Sequence, residues 1–482
     1  MSRLIEMRSH RVVLLSALLL IVAAPAWGRV FLQWTEPGIP LVTQIGVRDL
    51  VVPWNPGSVG LMNAARNLGY RVFAGVRPTD AATAASVAAS NGLAGIIVES
   101  ESGAPWSNAT RELIEKLRRT YPKLVVLEPG SQGKQPQIRG NMVVSKDGVL
   151  VVSSPTEQPW IDSNVALARF VSALQPNEPP LLSFSWDLID PLERRLGPQA
   201  ADYALAVAEA GAMRADLILP VHPNLQKALA DGNQAARREW ERLKTYMHFY
   251  SAGNMPAGHP CADIAVVADN YDEAYEAMNL MARHNILFTV LRPSDVTLQR
   301  LMHLQMAIVF SRPEEQGLRA LQAFASQAGT VVLVRLQGRF PWGVLSSTKT
   351  EAGKTYNVDR GRVVELSEPV ADPEAFAELV RNLLGSRGSL VRLWNALTVL
   401  VFAFREPHTN SMELELVNYA QQPQRVQVRV KGVFSKVRYE TPEHGNYSEV
   451  RPENNGEYTE FVLPDLQIGG RVYLSSEKEK NK

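Results

Sequence analysis

Four acidic side chains in this sequence follow short runs of β-branched residues, at points where a strand would end. Glu99 and Glu101 follow one run, Glu128 a second and Asp187 a third. Cleavage of a glycosidic bond requires one carboxylic acid that protonates the leaving oxygen and one carboxylate that acts as nucleophile or base. We predict Glu99 as the acid/base and Asp187 as the nucleophile or base, with Glu101 or Glu128 as substitutes. A salt-bridge or capping role is the alternative for each carboxylate taken alone.

Tryptophans occupy similar positions, at or just beyond predicted strand ends. Sugar rings present apolar faces that pack on indole, so a mouth lined with tryptophan would suit a carbohydrate. Trp106 lies in the same region, whereas Trp186 alternates with Asp187 and should point away from it. Packing beneath helices is the alternative for the tryptophans, and an ordinary structural role is the alternative for a lone histidine. The predicted substrate-binding residues are Trp34, Trp54, Asn55, Glu157, Gln158, Trp160 and His222.

The elements that would position these residues alternate between short strands and helices over residues 29–253. Eight such units in this length predict an α/β fold, a (β/α)₈ TIM barrel, whose reactive groups gather at the carboxyl ends of its strands. An open doubly wound sheet is the competing fold, but it would usually have fewer strands and a Gly-rich phosphate loop after the first, which is absent. The regular predicted strands span residues 30–34, 49–54, 71–76, 94–99, 124–128, 181–186 and 216–221.

The sixth unit of this pattern is irregular. Two apolar runs, 141–144 and 149–153, flank the dipeptide Asp147-Gly148. Asp-Gly between apolar runs is a hairpin signal. We therefore expect a hairpin that feeds the sixth strand.

Two further regions follow a short Gly/Pro-containing linker. Residues 261–385 repeat an αβ pattern, which predicts a small flavodoxin- or glutamine-amidotransferase-like α/β domain. Cys261 precedes the first strand of that domain, which favours a spectator thiol over a nucleophile. Residues 388–476 contain short runs of period two separated by turn residues, which predict a C-terminal β-sandwich.

Residues 1–28 have the features of a secretory signal peptide. A stretch with three arginines precedes the apolar run 12–24, and Ala26-Trp27-Gly28 supplies small residues for cleavage. The alternative is an uncleaved anchor, because the run is near the lower length limit for spanning a bilayer. We predict a secreted or periplasmic protein without a membrane segment once the leader is removed.

The net charge, the cysteine count and the absence of known motifs limit the ligands that we expect this protein to bind. The 50 Lys+Arg and 49 Asp+Glu residues give a formal net charge of +1, which supplies no electrostatic footprint for nucleic acid. A single cysteine excludes an intramolecular disulfide and a cysteine-based zinc site. No HExxH, P-loop, GxSxG or clustered His/Asp pattern is present, so we expect no metal and no cofactor.

The order of the regions resembles the architecture of glycoside hydrolases, in particular β-galactosidases that carry a trimerisation domain. The segment Leu414-Glu415-Leu416-Val417-Asn418-Tyr419 is similar to a strand common in the last β-domain of such enzymes, and Phe461-Val462-Leu463-Pro464 matches the same domain. The resemblance implies a carbohydrate partner, and a middle domain that forms homo-oligomers or acts as a scaffold without catalysing.

The sequence departs from that group at both catalytic positions. The acid on the fourth strand normally follows Asn and the nucleophile on the seventh is Glu, whereas here Val98 precedes Glu99 and strand seven ends in Asp187. Two function classes therefore stay open: a hydrolase, and a catalytically inactive carbohydrate-binding or scaffold protein on a degenerate barrel. A third is an exported enzyme with a non-sugar substrate, because this fold hosts many chemistries.

Overall fold

The computed structural model describes most of the chain that follows the predicted leader. Residues 1–27, on which the signal-peptide prediction falls, lie outside the described residues. Within the described ranges no helix is long and apolar enough to cross a membrane. These ranges are 28–99, 108–129, 132–139, 142–146, 149–153, 160–189, 191–251, 258–350, 353–367, 370, 372–385, 388–406 and 409–476.

The first region, up to residue 251, alternates strands and helices as expected of repeated βα units. Its strands are β1 (Val30–Gln33), β2 (Asp49–Pro53), β3 (Arg71–Val76), β4 (Gly95–Val98), β5 (Val125–Leu127), β6 (Gln137–Arg139), β7 (Met142–Lys146), β8 (Val149–Ser153), β9 (Trp160–Asp162), β10 (Leu181–Ser183) and β11 (Asp216–Pro220). Its helices are α1 (Val42–Ile45), α2 (Val59–Asn67), α3 (Ala81–Ser90), α4 (Asn108–Thr120), α5 (Val165–Leu174), α6 (Pro191–Leu196), α7 (Ala200–Ala212), α8 (Pro223–Ala230) and α9 (Gln234–Phe249).

Seven of these strands form one parallel sheet in the order β10-β11-β1-β2-β3-β4-β5. Neighbouring positions along each strand face opposite sides, so Leu32 and Val52 pack against the helices as part of the main core. The other face encloses a separate apolar core, which shows that the sheet is curled around its own interior. The predicted barrel-type α/β fold is therefore confirmed. The buried members of the interior core are Phe31, Val51, Phe73, Ile97, Leu181 and Ile218.

The sixth unit differs from the prediction. β7 and β8 form the expected hairpin, but in the described part of the chain they pair only with each other. A gap, which we call the seam, separates β5 from β10. On its β10 side, Gly133 forms an isolated parallel bridge with Phe184, and its N–H donates to the Ser183 carbonyl at 2.7 Å. A Cβ at position 133 would lie 2.3 Å from Oδ1 of Asn164, so this position requires glycine. We call residues 132–139 the seam segment.

The second region is a parallel sheet flanked by helices. The five parallel strands described in this sheet, numbered in chain order, are arranged 2-1-3-4-5, which is the flavodoxin-like order and agrees with the prediction. An antiparallel hairpin extends one edge of this sheet. The strands are β12 (His259–Pro260), which joins the third region, then β13 (Ile264–Val267), β14 (Phe288–Leu291), β15 (Met306–Val309), β16 (Thr330–Val334), β17 (Ser347–Thr350), β18 (Gly353–Val358) and β19 (Gly361–Leu366). The helices are α10 (Tyr271–Arg283), α11 (Leu298–Leu301), α12 (Glu315–Ser326) and α13 (Pro373–Leu384).

The third region is built from two antiparallel sheets around an apolar core, as its period-two pattern predicts. One sheet has the order β12-β21-β22-β28-β24-β25 and the other β20-β23-β27-β26. β12 falls in the predicted linker, so that stretch contributes an edge strand to this region. The strands are β20 (Val391–Trp394), β21 (Val399–Arg405), β22 (Met412–Asn418), β23 (Gln424–Lys431), β24 (Lys436–Glu440), β25 (Ser448–Val450), β26 (Glu453–Asn455), β27 (Tyr458–Leu466) and β28 (Gly469–Ser475).

The three regions share buried surface. The outer side chains Phe402 and Phe404 of β21 belong to the same apolar core as the barrel helices, together with Tyr419 just after β22. Arg214, which follows α7, packs over the ring of Phe404 at 3.6 Å from its centroid. The C-terminal β-sandwich is therefore packed directly against the helix layer of the barrel.

Candidate active site at the barrel mouth

Glu99 lies just beyond β4 and points into the interior of the curled sheet. It shares its face with Ile97, which belongs to the interior core, and its N–H donates to the carbonyl of Val76 at 2.8 Å. Its Oε1 lies 3.2 Å from the point where a Cβ would stand on Gly75 of β3. The absence of a side chain at position 75 therefore makes room for this carboxyl.

The pKa of the Glu99 carboxyl lies above its ordinary value. Burial against the strand ends raises the pKa of this carboxyl, and the positive charge of Arg77 opposes the shift. The side chain as a whole remains exposed, so its carboxyl can be reached from solvent. A carboxyl that keeps its proton at higher pH is suited to act as a general acid.

Asp187 lies beyond β10 and is held by two contacts from the seam segment. The Arg139 guanidinium pairs with its Oδ2 at 2.5 Å, and Oε1 of Gln135 accepts a hydrogen bond from its N–H at 2.7 Å. Arg139 also pairs with the buried carboxylate of Asp162. Asp187 thus stands as a half-exposed, oriented carboxylate on a strand that β5 and the seam separate from β4.

Glu128, the proposed substitute, faces away from the mouth. It follows Leu127, which packs against the interior core, so its side chain leans toward the helices. Burial raises its pKa, whereas the charges of Arg111 and Arg118 lower it. It lines a cavity of about 400 Å³ beside the seam. This placement does not bring Glu128 together with Glu99 or Asp187.

The tryptophans do not form the expected lining of the mouth in the described structure. Trp34 is 1% exposed and lies on the helix side of β1, where its indole N–H donates hydrogen bonds to the carbonyls of Glu36 and Gly38. Trp54 packs against the same outer core. Trp186 donates to the carbonyl of Pro220 and faces the helices, as its alternation with Asp187 predicts.

The remaining described candidates have local partners. Asn55 precedes a short 3₁₀ turn, where its backbone exchanges hydrogen bonds with Ser58. His222 caps α8 by accepting the N–H of Asn224. Trp160 is 48% exposed, donates to Asp162 at 3.2 Å and lies beneath the Arg283 guanidinium of the middle region, so it is near the Arg139 network rather than in the interior.

Glu101, Trp106, Glu157 and Gln158 lie outside the described residues. Arg139 and Gln135, which hold Asp187, were not found by the sequence reasoning, because the seam segment has no strand-like pattern. The one signal that could have found them is the position of this segment, where the sixth barrel strand should run. No group of His, Cys, Asp or Glu side chains among the described residues could hold a metal ion.

The described structure thus combines a curled, barrel-type parallel sheet with a flavodoxin-like region and a C-terminal region of antiparallel sheets. No protein-family model and no curated protein sequence matches the chain. Among solved structures, the chain is similar to α-L-fucosidase isoenzyme 2 from Paenibacillus thiaminolyticus, with a TM-score of 0.55 and 10% identity over 94% of this chain and 100% of that one. This likeness shows the fold.

Two other glycosidase structures match with TM-scores below 0.5. One is a catalytic mutant of a GH42 β-galactosidase from G. stearothermophilus, with a TM-score of 0.41 and 9% identity over 76% of this chain and 66% of that one. The other is an exo-β-1,4-mannosidase from Opitutaceae bacterium strain TAV5, with a TM-score of 0.43 and 11% identity over 73% of this chain and 93% of that one.

Proposed function

We propose that the chain is an exported glycoside hydrolase-like protein that cleaves a glycosidic bond with Glu99 as acid/base and Asp187 as nucleophile or base. The observation that supports this most is the inward carboxyl of Glu99, whose pKa burial raises, at the end of β4. A proton donor of this kind and an oriented carboxylate on another strand are the two groups that the reaction needs.

The two carboxyl groups have different environments, as their different roles require. Burial against the strand ends raises the pKa of Glu99, so this carboxyl keeps its proton to higher pH and can supply it to the leaving oxygen. Asp187 is paired with a guanidinium, and the hydrogen bond from its backbone N–H to Gln135 fixes its position at the end of the strand. An aligned carboxylate needs little reorganisation before it attacks or removes a proton from water.

The alternative is a carbohydrate-binding or scaffold protein without catalysis. One observation favours it: Asp187 already has a tight partner in Arg139, and that ion pair must share its carboxylate with any substrate. In either case the proposed setting is outside the cytoplasm, after removal of residues 1–28. The middle region is then the proposed site of homo-oligomerisation.

The test is hydrolysis of a panel of aryl glycosides and of plant and bacterial polysaccharides by residues 29–482. A double variant, Glu99→Gln with Asp187→Asn, is the negative control, because it lacks both proposed catalytic carboxyl groups. Turnover by the parent that is absent from the double variant would support the enzyme. Turnover that persists in the double variant would mean that other groups carry the reaction. Retention of a polysaccharide without turnover would favour the binding protein.

Gly75→Ala tests whether the space above β3 matters to Glu99. The new methyl would lie 3.2 Å from both Oε1 of Glu99 and Cγ1 of Val51, so the flexible carboxyl must shift by a few tenths of an ångström. Because the backbone at this position is extended, we expect the free energy of unfolding to change by less than about 1 kcal/mol. Turnover should fall about fivefold to tenfold, since small displacements of a reacting group are costly.

Gly60→Ala is the matched control for this variant. Gly60 lies on α2, and no atom approaches within 4 Å of its would-be Cβ. Urea unfolding and initial rates are to be measured for both variants. Equal turnover in Gly75→Ala and the parent would contradict a role for the Glu99 carboxyl at this point.

A further inference from the structure

A row of buried polar side chains runs from the C-terminal β-sandwich into the barrel. The Tyr419 hydroxyl donates to Oε1 of Glu209 on α7 at 2.6 Å. Glu209 also accepts from the N–H of Asn164 at 2.9 Å and from its Nδ2 at 2.7 Å. All three residues are buried, with at most 3% of their surface exposed. Burial raises the pKa of Glu209 to about 7, although all three donors favour its charged form.

Asn164, the next member of the row, forms two hydrogen bonds with the backbone of the seam segment. Its Oδ1 accepts the N–H of Lys134 and its Nδ2 donates to the Lys134 carbonyl, both at 2.8 Å. The side-chain amide therefore pairs with the backbone as a neighbouring strand would. Because both amide atoms are engaged, the orientation of Asn164 is fixed, and Glu209 must accept from its Nδ2.

The seam segment in turn holds the end of β10. Besides the hydrogen bond from Gly133 to Ser183, the Gln132 side chain donates to the Ser185 hydroxyl at 2.5 Å. Gln135, which is 8% exposed, accepts from the N–H of Asp187 at 2.7 Å. Three successive contacts thus fix the strand extension that bears the candidate nucleophile.

We propose that Tyr419, Glu209 and Asn164 are positioning residues for Asp187, acting through the seam segment. The C-terminal β-sandwich then takes part in catalysis by positioning Asp187 through this row of hydrogen bonds. A fully satisfied buried network is rigid, and a reacting group held within a fraction of an ångström depends on such support. The catalytic part of this inference rests on the proposed function, whereas its structural part does not.

Tyr419→Phe is the variant that tests the row, because it removes one hydroxyl and keeps the ring. Tyr439→Phe is the matched control. The Tyr439 hydroxyl donates to the carbonyl of Asp465 at 2.9 Å within the β-sandwich, and the residue is 5% exposed. Each variant loses one buried hydrogen bond of this region, but only Tyr419→Phe breaks the connection to the barrel.

Hydrogen exchange of the backbone amides is the first measurement. In Tyr419→Phe we expect amides in residues 132–139 and 181–189 to exchange about tenfold faster than in the parent, because Glu209 loses its link to the sandwich. Tyr439→Phe should exchange like the parent in both segments. Equal exchange in the two variants would overturn the proposal and leave the row as a stabilising contact only.

Steady-state kinetics on a glycoside that the parent hydrolyses is the second measurement. Tyr419→Phe should lower kcat about tenfold with KM within about twofold, and Tyr439→Phe should change neither. Gln135→Met leaves the buried row intact but removes its last contact, the hydrogen bond from the Asp187 N–H. This variant should lower kcat as Tyr419→Phe does. Unchanged kcat in both Tyr419→Phe and Gln135→Met would overturn the proposal.

The two measurements separate this inference from the proposed function. A parent that hydrolyses nothing would contradict the enzyme, yet faster exchange in Tyr419→Phe would still support the structural connection. A parent that is active, with variants that exchange and turn over as it does, would contradict the connection and leave the enzyme standing.

Discussion

Glu99→Gln is expected to lower kcat on glycosides with alkyl leaving groups by about a hundredfold or more, because the amide cannot donate the proton that such a group needs. The loss should be much smaller for aryl glycosides with acidic phenols, which depart without protonation. Gln has nearly the same shape, so KM should stay within about twofold. Initial rates on a matched series of alkyl and aryl glycosides give this comparison.

The pH dependence provides an independent check on the same role. Burial raises the pKa of Glu99, so the basic limb of kcat/KM should lie above the ordinary pKa of a glutamic acid. That limb should disappear from Glu99→Gln, since the titrating group is gone. Glu115→Gln is the matched control, because Glu115 lies exposed on α4 in an i,i+4 pair with Arg119. A uniform loss for every leaving group would contradict proton donation by Glu99.

Arg471→Met is expected to lower the free energy of unfolding by about 3–5 kcal/mol, because it leaves buried carboxylates without their counter-ion. Arg471 is 1% exposed, and its guanidinium pairs with Glu415 at 2.5 Å and Glu440 at 3.2 Å. Met has a similar volume to Arg, so the loss of stability would come from the missing positive charge rather than from a cavity. Urea unfolding followed by tryptophan fluorescence measures the effect.

The loss in Arg471→Met should also depend on pH. Burial raises the pKa of Glu415 well above its ordinary value and the charge of Arg471 opposes this rise, so the folded variant holds the proton of Glu415 more tightly than the folded parent does. Stability from that proton is present at low pH and is lost as pH rises through the folded-state pKa. The variant should therefore be closer to the parent at pH 5 than at pH 8.

Two further variants separate the charge from its surroundings. Adding Glu415→Leu to Arg471→Met should recover a large part of the stability, because a buried apolar pair replaces an orphaned charge. Lys436→Met, on the exposed face of β24, should leave the free energy of unfolding within about 0.5 kcal/mol of the parent. A loss in Arg471→Met that neither low pH nor Glu415→Leu relieves would contradict this explanation.

The regular strands of the barrel could be predicted because each is a short β-branched run between turn residues. Which face of a strand points inward could not be predicted in this way. Phe31 and Leu32 on β1 are both apolar and both buried, since a parallel strand is covered on each side. The sequence therefore placed Trp34 at the mouth, whereas it belongs to the helix side.

The seam segment escaped prediction for a different reason. Gly133 makes one bridge and Lys134 is held by a side chain, so the segment has none of the apolar periodicity that signals a strand. Its contacts to Asp187 come from Gln135 and Arg139, whose partners are distant in sequence. The sequence pattern correctly places Glu99 and Asp187 just beyond β4 and β10, but it does not reveal the residues that contact Asp187.

The position of β1 inside the barrel sheet, rather than at its edge, has a consequence for how the chain folds. β1 lies between β2 and β11, and the contact between Arg29 and Asp216 closes a loop of 187 residues. Closing such a loop lowers the conformational entropy of the chain before the contacts that stabilise it can form. Contacts between residues so far apart in sequence therefore slow folding. One edge of β1 therefore stays without its native backbone hydrogen bonds until β11 has been synthesised. Fragments that end before residue 216 should aggregate, and shorter expression fragments of the barrel are best designed to keep both strands.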